Sequence, residues 1–443
     1  MKLIFQKVWH LSLIIGLRFF GLFIVISVLS AYAAHLEGAT ATLVGLAVGG
    51  YAFTQAAFQV PFGLLSDKIG RKKAILIGLI IFAFGSVIAA IASDIYMLLL
   101  GRFLQGAGAI GAVIIAMISD HVREEERAHA MAVMGMVIAA AFTLAMVFGP
   151  FIGGIVGVPS LFYLTALLAF VSIVLLFTIV PESPKIQHHF SEEEANVRSV
   201  FKDGDLKRMY ITFLFHSSTM AIAFFLIPMV LKENFHLPLH SFWKIYLPAV
   251  FFGILAMAPA AIFGEKYNKG KEVFLISIVT IAFAFLLMGF ANTLLLFGLG
   301  VVLFFIGFNM FEPLLQSFVS KFAKEHQKGA ALGVANTFAY IGMGVGATLA
   351  GKIFEYSDRS GVAFVVLIIA IFWAIWIVGM RNPGLRGTIY LRKDIFDFNK
   401  LDALRKKEGI ADTYINETEG ILVVKYDKEK LDEDELRGFM LKR

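Results

Sequence analysis

The chain of 443 residues contains no cysteine. Disulfides, thiolate metal centres and a cysteine nucleophile are therefore excluded. Charge is also scarce. Asp, Glu, Lys and Arg make up 16% of the residues, against about 25% in soluble globular domains. Hydrophobic residues reach 58%, above the about 45–50% of such domains. A soluble enzyme, a disordered chain and a disulfide scaffold are excluded together. No Gly-x-x-x-x-Gly-Lys-Ser/Thr segment occurs, so ATP-driven work on a phosphate-binding loop is not expected. No enzymatic activity, cofactor, metal or nucleic-acid partner is expected. The first apolar run has no cleavage-site pattern and is expected to be retained.

What the chain has instead is apolar length. Twelve runs lie roughly at 11–33, 43–66, 73–92, 95–119, 128–157, 160–180, 208–231, 242–263, 272–290, 293–318, 329–353 and 361–380. Most reach the about 20 residues needed to cross about 30 Å of hydrocarbon. Backbone polar groups find no water in lipid, so these runs must be helices. A membrane barrel would show alternating segments of about 10 residues. The expected fold is an all-α membrane protein of twelve transmembrane helices, with the lipid bilayer as its first partner. Loops after even-numbered runs carry twelve Lys and Arg, among them Lys68, Arg71, Lys72, Lys73, Arg123, Arg127 and Lys324. Loops after odd-numbered runs carry only Lys232, Lys244, Lys352 and Arg359. The positive-inside rule then places both termini in the cytoplasm of an inner (plasma) membrane protein.

The twelve runs contain a repeat. Gly63-Leu-Leu-Ser-Asp67 after run 2 answers Ala261-Ile-Phe-Gly-Glu265 after run 8, an offset of 198. Gly149-Pro-Phe-Ile-Gly153-Gly154 in run 5 answers Gly346-Ala-Thr-Leu-Ala350-Gly351 in run 11, an offset of 197. Two parallel six-helix halves, 1–182 and 208–381, joined by a polar linker 183–207, explain both offsets. Parallel halves around a midplane site are a transporter architecture.

Three segments carry a family resemblance. They are Gly63 to Lys73, Leu98-x-x-x-Arg102-Phe-Leu-Gln105-Gly106-Ala-Gly108, and Gly149-Pro150-x-x-Gly153-Gly154. On these the chain resembles the major facilitator superfamily, whose motifs A, B and C they match. Ala145 replaces the first glycine of motif C. The resemblance implies the drug:proton antiporter branch. Phe308-Asn309-x-x-Glu312 in run 10, His216 in run 7 and a small domain after run 12 are similar to the YajR-like multidrug-efflux subgroup. The partners so implied are a small-molecule substrate and protons.

The residues can also be read one by one. Asp67 is an acid among cations in motif A, with Gly63, Gly70 and Arg71 beside it. Its partner is Arg71, Arg127 or the positive N-terminal end of helix 11. The last would latch the halves together on the cytoplasmic side. The alternative is that this cluster sets topology only. Glu312 stands alone as an acid deep in an apolar run, just before Pro313. A carboxyl group there is suited to bind and release protons. His216, with an unperturbed pKa of about 6.5, is the natural second titrating group, or a structural hydrogen-bonding group. The resemblance places Arg102 near the proton pathway, and bonding to helix carbonyls is the equal alternative. Arg18 in run 1 is a residue of the same kind. Gln55 and Gln59 in run 2 read as cavity or ordinary interhelical hydrogen-bonding groups. Glycines of motif C let a partner helix approach, and Pro150 bends the helix. Tyr32, Asn309, Glu312, Asn336 and Tyr340 are candidates for a cavity that suits a moderately apolar compound.

Residues 381–443 are different material, with 27 of 63 charged. Strands at 388–393, 411–416 and 420–426 and helices at 397–407 and 430–441 are expected, with Glu419-Gly420 as the turn. This β-α-β-β-α order is a ferredoxin-like α+β unit without its last strand, at 386–443. With no Cys-x-x-Cys loop, copper binding of the usual type is excluded. A regulatory ligand, self-association and inertness stay open. The function expected is a secondary active exporter exchanging small molecules for protons. A nutrient symporter or uniporter, and a membrane sensor signalling through the tail, are the alternatives.

Overall fold

A computed structural model describes residues 2–122, 124–182, 200–201, 203–323, 327–382, 386–397, 400–416, 420–428 and 430–441. Most of the linker (183–199 and 202), together with Arg123, Lys324 and Glu419, lies outside the described residues, as does the side chain of Arg127.

Eleven helices among the described residues are long and apolar enough to cross a membrane. They are α1 (Lys2–Ile26, continued by a turn at Leu29–Ala33), α2 (Ala41–Ile69), α3 (Arg71–Ala90), α4 (Ile95–Ala107, resuming as Gly111–His121), α5 (Glu124–Ile155), α6 (Val158–Thr178), α7 (Gly204–Glu233), α8 (Trp243–Ala261), α9 (Gly270–Phe290), α10 (Leu294–Phe322) and a long helix Lys328–Val378. The long helix breaks at Asp358, whose φ of 57° is left-handed. It therefore counts as two spans, α11 (328–357) and α12 (359–378), and the total is twelve.

Local chemistry sets the helix ends. Thr40, Asp94, Asp203 and Thr293 cap α2, α4, α7 and α10 by accepting from backbone N–H groups of the first turn. Gly70 (φ 95°) and Gly157 (φ 97°) make single-residue corners between α2 and α3 and near the start of α6. The fourth run, expected as one helix, is interrupted at 108–110, where Gly108 leaves helical geometry (ψ 56°).

Large apolar side chains stay exposed along α3, α6, α9 and α12, for example Phe84, Phe170, Phe283 and Phe372. Such faces are at home only in lipid. α5 and α8 expose apolar side chains as well, such as Phe151 and Phe251, whereas α1 and α7 are mostly buried. One face of the bundle carries the helix ends and turns at 70, 121–122, 267–269 and 321–323, with Arg71, Lys269 and Lys321 among their residues, and is called the basic side below.

The halves meet along an antiparallel seam of α2 and α11. From the side opposite the basic loops, Thr42 donates from its N and Oγ1 to Glu355 at 3.1 and 2.8 Å. Gly45 then lies on Ala347 and Gly351, and Gly49 on Met343, Gly344 and Ala347. Tyr246 of α8 donates to the Ser27 carbonyl at 3.0 Å. Gly154 of motif C abuts His240, in the short turn before α8. Toward the basic side the seam parts, and Gly63, Gly329 and Gly333 face open space. Among the described residues, the halves are shut on the opposite side and open on the basic side.

The tail forms a three-stranded antiparallel sheet in the order β1 (Arg386–Arg392), β3 (Ile421–Asp427), β2 (Ile410–Asn416). Helices α13 (Leu401–Lys406) and α14 (Glu433–Met440) accompany it. The helix expected at 430–441 starts later because Asp432 caps it. Its core gathers Ile389, Leu391, Leu404, Leu422, Val424, Tyr426 and Leu436. Side chains alternate along a strand, so Val423 and Lys425 occupy the other face of β3. Both are nonetheless buried, at 1% and 4% exposure. The membrane body covers that face: Lys425 Nζ donates to the carbonyl of Ala323, at the C-terminal end of α10, at 2.6 Å. A cation there also meets the negative end of the helix dipole.

Candidate functional site

The site is built around α10. Pro313 has no N–H, which leaves the Asn309 carbonyl without its helical donor. Phe305 precedes Glu312 by seven residues, two turns on the same face and about 10 Å away. Phe305 meets Phe142 of α5 and Phe224 of α7, with centroids 6.2 and 6.4 Å apart. Glu312 therefore looks toward the other half, two turns nearer the basic side, where the halves have parted. Its side chain is exposed, and no hydrogen bond or ion pair engages it among the described residues. Asn309 donates to the Phe305 carbonyl at 2.8 Å and packs against Gly253 of α8.

His216 is buried against α10. Its ring stacks on Phe308 at 4.0 Å, and Nε2 lies 3.2 Å from the Phe308 carbonyl. That carbonyl opens the helical turn that ends at Glu312. The two titratable side chains, Glu312 on α10 and His216 from α7, thus meet at one turn of α10.

The other half supplies cations. Arg102 is fully buried, and its Nε, Nη1 and Nη2 donate to Ala47 O, Gln105 Oε1 and Val48 O at 2.9, 2.7 and 3.3 Å. Gln105 passes the network to Ser86 at 2.9 Å. Gly106 lets α4 lie directly on the Tyr51 backbone of α2. Arg18 donates from Nη2 to Gln55 Oε1 at 2.7 Å and to Gly108 O at 3.0 Å, beside the break in α4. Gln55 in turn donates to the Tyr340 hydroxyl of α11 at 3.5 Å. Asn336 lies one turn from Tyr340 toward the basic side. Tyr32, in the Leu29–Ala33 turn at the opposite end of α1, is not brought to Glu312.

In motif A, Arg71 is the hub. It donates to Asp67 and Ser66 at 2.5 Å each, and to Asp120 of α4 at 3.2 Å. Asp67 thus pairs within its own half here. In motif C, Gly149 receives α1 at Ile24 and Ser27, and Gly153 lies near Val28 and Leu161.

Two further acids matter that were not among the candidate site residues. Glu265, the repeat of Asp67, sits in a π-helical turn (Ile262–Lys266) and pairs with Ser317 and Lys321 of α10. The offset of 198 was its signal. Asp205, 1% exposed, accepts from Arg208 Nη1 at 3.1 Å and from Arg381 Nε at 2.7 Å. It joins the start of α7 to the end of α12, and its hydrogen bond pushes the Arg381 guanidinium above its ordinary pKa. Its position in the first turn of a helix, beside Arg208, was the only hint. Among the described residues, no three His, Asp or Glu side chains cluster as a metal site would require.

Comparison with known proteins places this geometry. The family model described as Major Facilitator Superfamily matches residues 11–347 and 249–408. The inner membrane transport protein YajR of Escherichia coli (strain K12) is 36% identical over 431 residues, 95% of this chain and 94% of that protein. The quinolone resistance protein NorA of Staphylococcus aureus (strain MSSA476) is 26% identical over 374 residues, 79% of this chain and 90% of that one. The solved nucleoside transporter NupG superposes with a TM-score of 0.64 at 17% identity, covering 84% of this chain and 97% of its own. A bacterial homolog of the human lysosomal transporter Spinster, inward-facing and unoccupied, gives 0.66 at 14%, covering 84% and 95%. At these identities the structures speak for the fold alone.

Proposed function

The chain belongs to the Major Facilitator Superfamily and is a multi-pass inner membrane transporter, and from that premise we propose that it exports small, fairly apolar molecules in exchange for protons. The observation that carries this reading is Glu312. It is an acid inside the membrane with no partner among the described residues, on the face of α10 turned to the parted halves. Free of ion pairs, it is placed to trade a proton for a substrate as the halves alternate. His216 of α7, packed against the same turn, is the second proton group. Arg18 and Arg102 fix the opposite wall. The 26% identity to a protein named for quinolone resistance supports export.

By the positive-inside rule the basic side is cytoplasmic, as are both termini. The form described here is then inward-open, the state that loads cargo for export. Closing it would bring the motif A loop toward the N-terminal end of α11, where Asp67 can exchange Arg71 for the helix dipole. In motif C, Gly149, Pro150, Gly153 and Gly154 form the surface on which α5 slides. Asn309, Asn336 and Tyr340 lie along the proposed cargo path, with Tyr32 at its far end. The tail, seated on α10, is placed to regulate.

The test is Glu312→Gln in proteoliposomes with an imposed pH gradient and fluorescent efflux substrates. Gradient-driven transport should disappear while substrate counterflow without a gradient persists. Gradient-driven transport at the wild-type level would remove Glu312 from coupling.

A further inference from the structure

Two polar rungs cross the α2–α11 seam inside the membrane. Tyr51 donates to Met343 Sδ at 2.8 Å, and one turn along, Gln55 donates to Tyr340 at 3.5 Å. Each rung is backed by a buried arginine. The Arg102 guanidinium lies 4.6 Å from the Tyr51 ring centre, and Arg18 donates to Gln55. Resting on the reading that the protein alternates between states open to either side, we propose that Arg18 is a positioning residue. It aims Gln55 at Tyr340 and so makes the last rung of the closed seam.

The chemistry dictates the aim. Arginine has donors only, so the Gln55 carbonyl oxygen must turn toward Arg18. The amide nitrogen is then left facing Tyr340, where it can only donate. Arg18 cannot drift from this task. It is 1% exposed, its Nε and Nη1 have no partner among the described residues, and Gly108 O holds the same nitrogen, Nη2, from the other side. Losing Gln55 would leave a further buried N–H unsatisfied, a costly exchange. The seam ends here. Gly333, seven residues from Tyr340 and so on the same face, two turns nearer the basic side, faces open space. A neutral hydrogen bond at this point is weak enough to break in each cycle and strong enough to bias the resting state.

The absence of native cysteine makes the test direct. Spin labels on Lys68→Cys and Lys269→Cys, on the basic side of each half, report the ratio of parted to closed forms in the full-length transporter. Tyr340→Phe and Gln55→Leu should each lower that ratio roughly two- to tenfold. Arg18→Gln should do the same, and Arg18→Lys, which keeps a donor, should restore it. The double variant Gln55→Leu/Tyr340→Phe should match either single one, because one rung is lost only once. Tyr340→Phe removes a single hydroxyl and spares the packing. An unchanged ratio in that variant, or additive effects in the double variant, overturns the proposal. An impermeant thiol reagent on Lys68→Cys in intact cells checks topology separately. Reaction there would refute the cytoplasmic placement, whereas the rung is judged by the ratios alone.

Discussion

Adding one methyl group at Gly45 should invert the conformational balance of the protein. A Cβ at this position would fall on the carbonyl of Ala347, with the Gly351 Cα 3.3 Å away. Both obstacles are backbone and cannot rotate aside, so only a wider spacing of α2 and α11 relieves the overlap. Overpacking of this kind costs about 1–3 kcal/mol. The cost falls on the form in which this end of the seam is shut, and vanishes in a form that opens there. At about 2 kcal/mol the ratio of the two forms shifts about thirtyfold, turning a preference of about ten to one into about one to three. Gly63 supplies the opposite sign. A Cβ added there meets nothing within 4 Å among the described residues, so Gly63→Ala costs nothing in this form and penalises only one in which the basic side is closed. Distances between spin labels on Lys68→Cys and Lys269→Cys are the assay. Gly45→Ala should populate the shorter distance, and Gly63→Ala should deplete it. A folded Gly45→Ala protein with the wild-type distribution would refute the claim that this seam sets the state.

Stability should depend more on Asp205 than on motif A. Asp205→Ala strips hydrogen bonds from two arginines that can partly retreat to water, for a loss of about 2–3 kcal/mol. Asp67→Asn weakens a pair whose acid is 58% exposed, worth about 0–1 kcal/mol. Thermal denaturation in detergent ranks them, and equal melting would contradict the assignment. Lys425→Met keeps the sheet but removes the bond to Ala323, so limited proteolysis should release the tail faster while the body melts as before. Arg437 beside Glu433 holds that carboxyl below its ordinary value of 4.5. The support it lends α14 is therefore complete above that value and lost as pH falls through the depressed one. Amide exchange in α14, corrected for intrinsic rates, should rise only in that acid range, and a rise near neutrality would point to another group.

The twelve spans and the tail's order of strands and helices were legible because lipid and strand alternation impose strong periodic demands. The form of the interruptions was not. The break at 108–110 arises in a run with no proline, where Gly108 lies close on Gly78 and Phe82 of α3 and its carbonyl accepts from Arg18 of α1. The polar residues between runs 11 and 12 marked a boundary, but not that the join would be a single left-handed residue, Asp358, between two helical segments. Candidate site residues could be named but not paired. Asp67 had three plausible partners, and geometry selects Arg71 in this form. Gln55 looked like one more interhelical amide, and its place between Arg18 and Tyr340 depends on contacts 37 and 285 positions apart. Asp205 finds Arg381 across 176 positions, beyond any local pattern.

The distribution of ionisable side chains inside the membrane spans follows the division into halves. Arg18 and Arg102 lie in the first half, with no acid paired to either among the described residues. Glu312 and His216 lie in the second, with no cation paired to them among the described residues. A repeat fold could have placed these groups side by side, and the separation has a consequence for the proposed cycle. An arginine within hydrogen-bond reach of Glu312 would form a charge-assisted pair that occupies the carboxylate in every state. Such a group could not exchange its partner for a proton or a substrate. Arg102 avoids this by spending its donors on carbonyls of α2 and on Gln105, and Arg18 by spending its own on Gln55 and Gly108. The cations thus stabilise the seam while the acid stays available. Moving a positive charge onto α10 beside Glu312, as in Asn309→Lys, should therefore abolish proton-driven transport as fully as Glu312→Gln does. Retention of coupling in that variant would show that the separation of charges has no part in the mechanism.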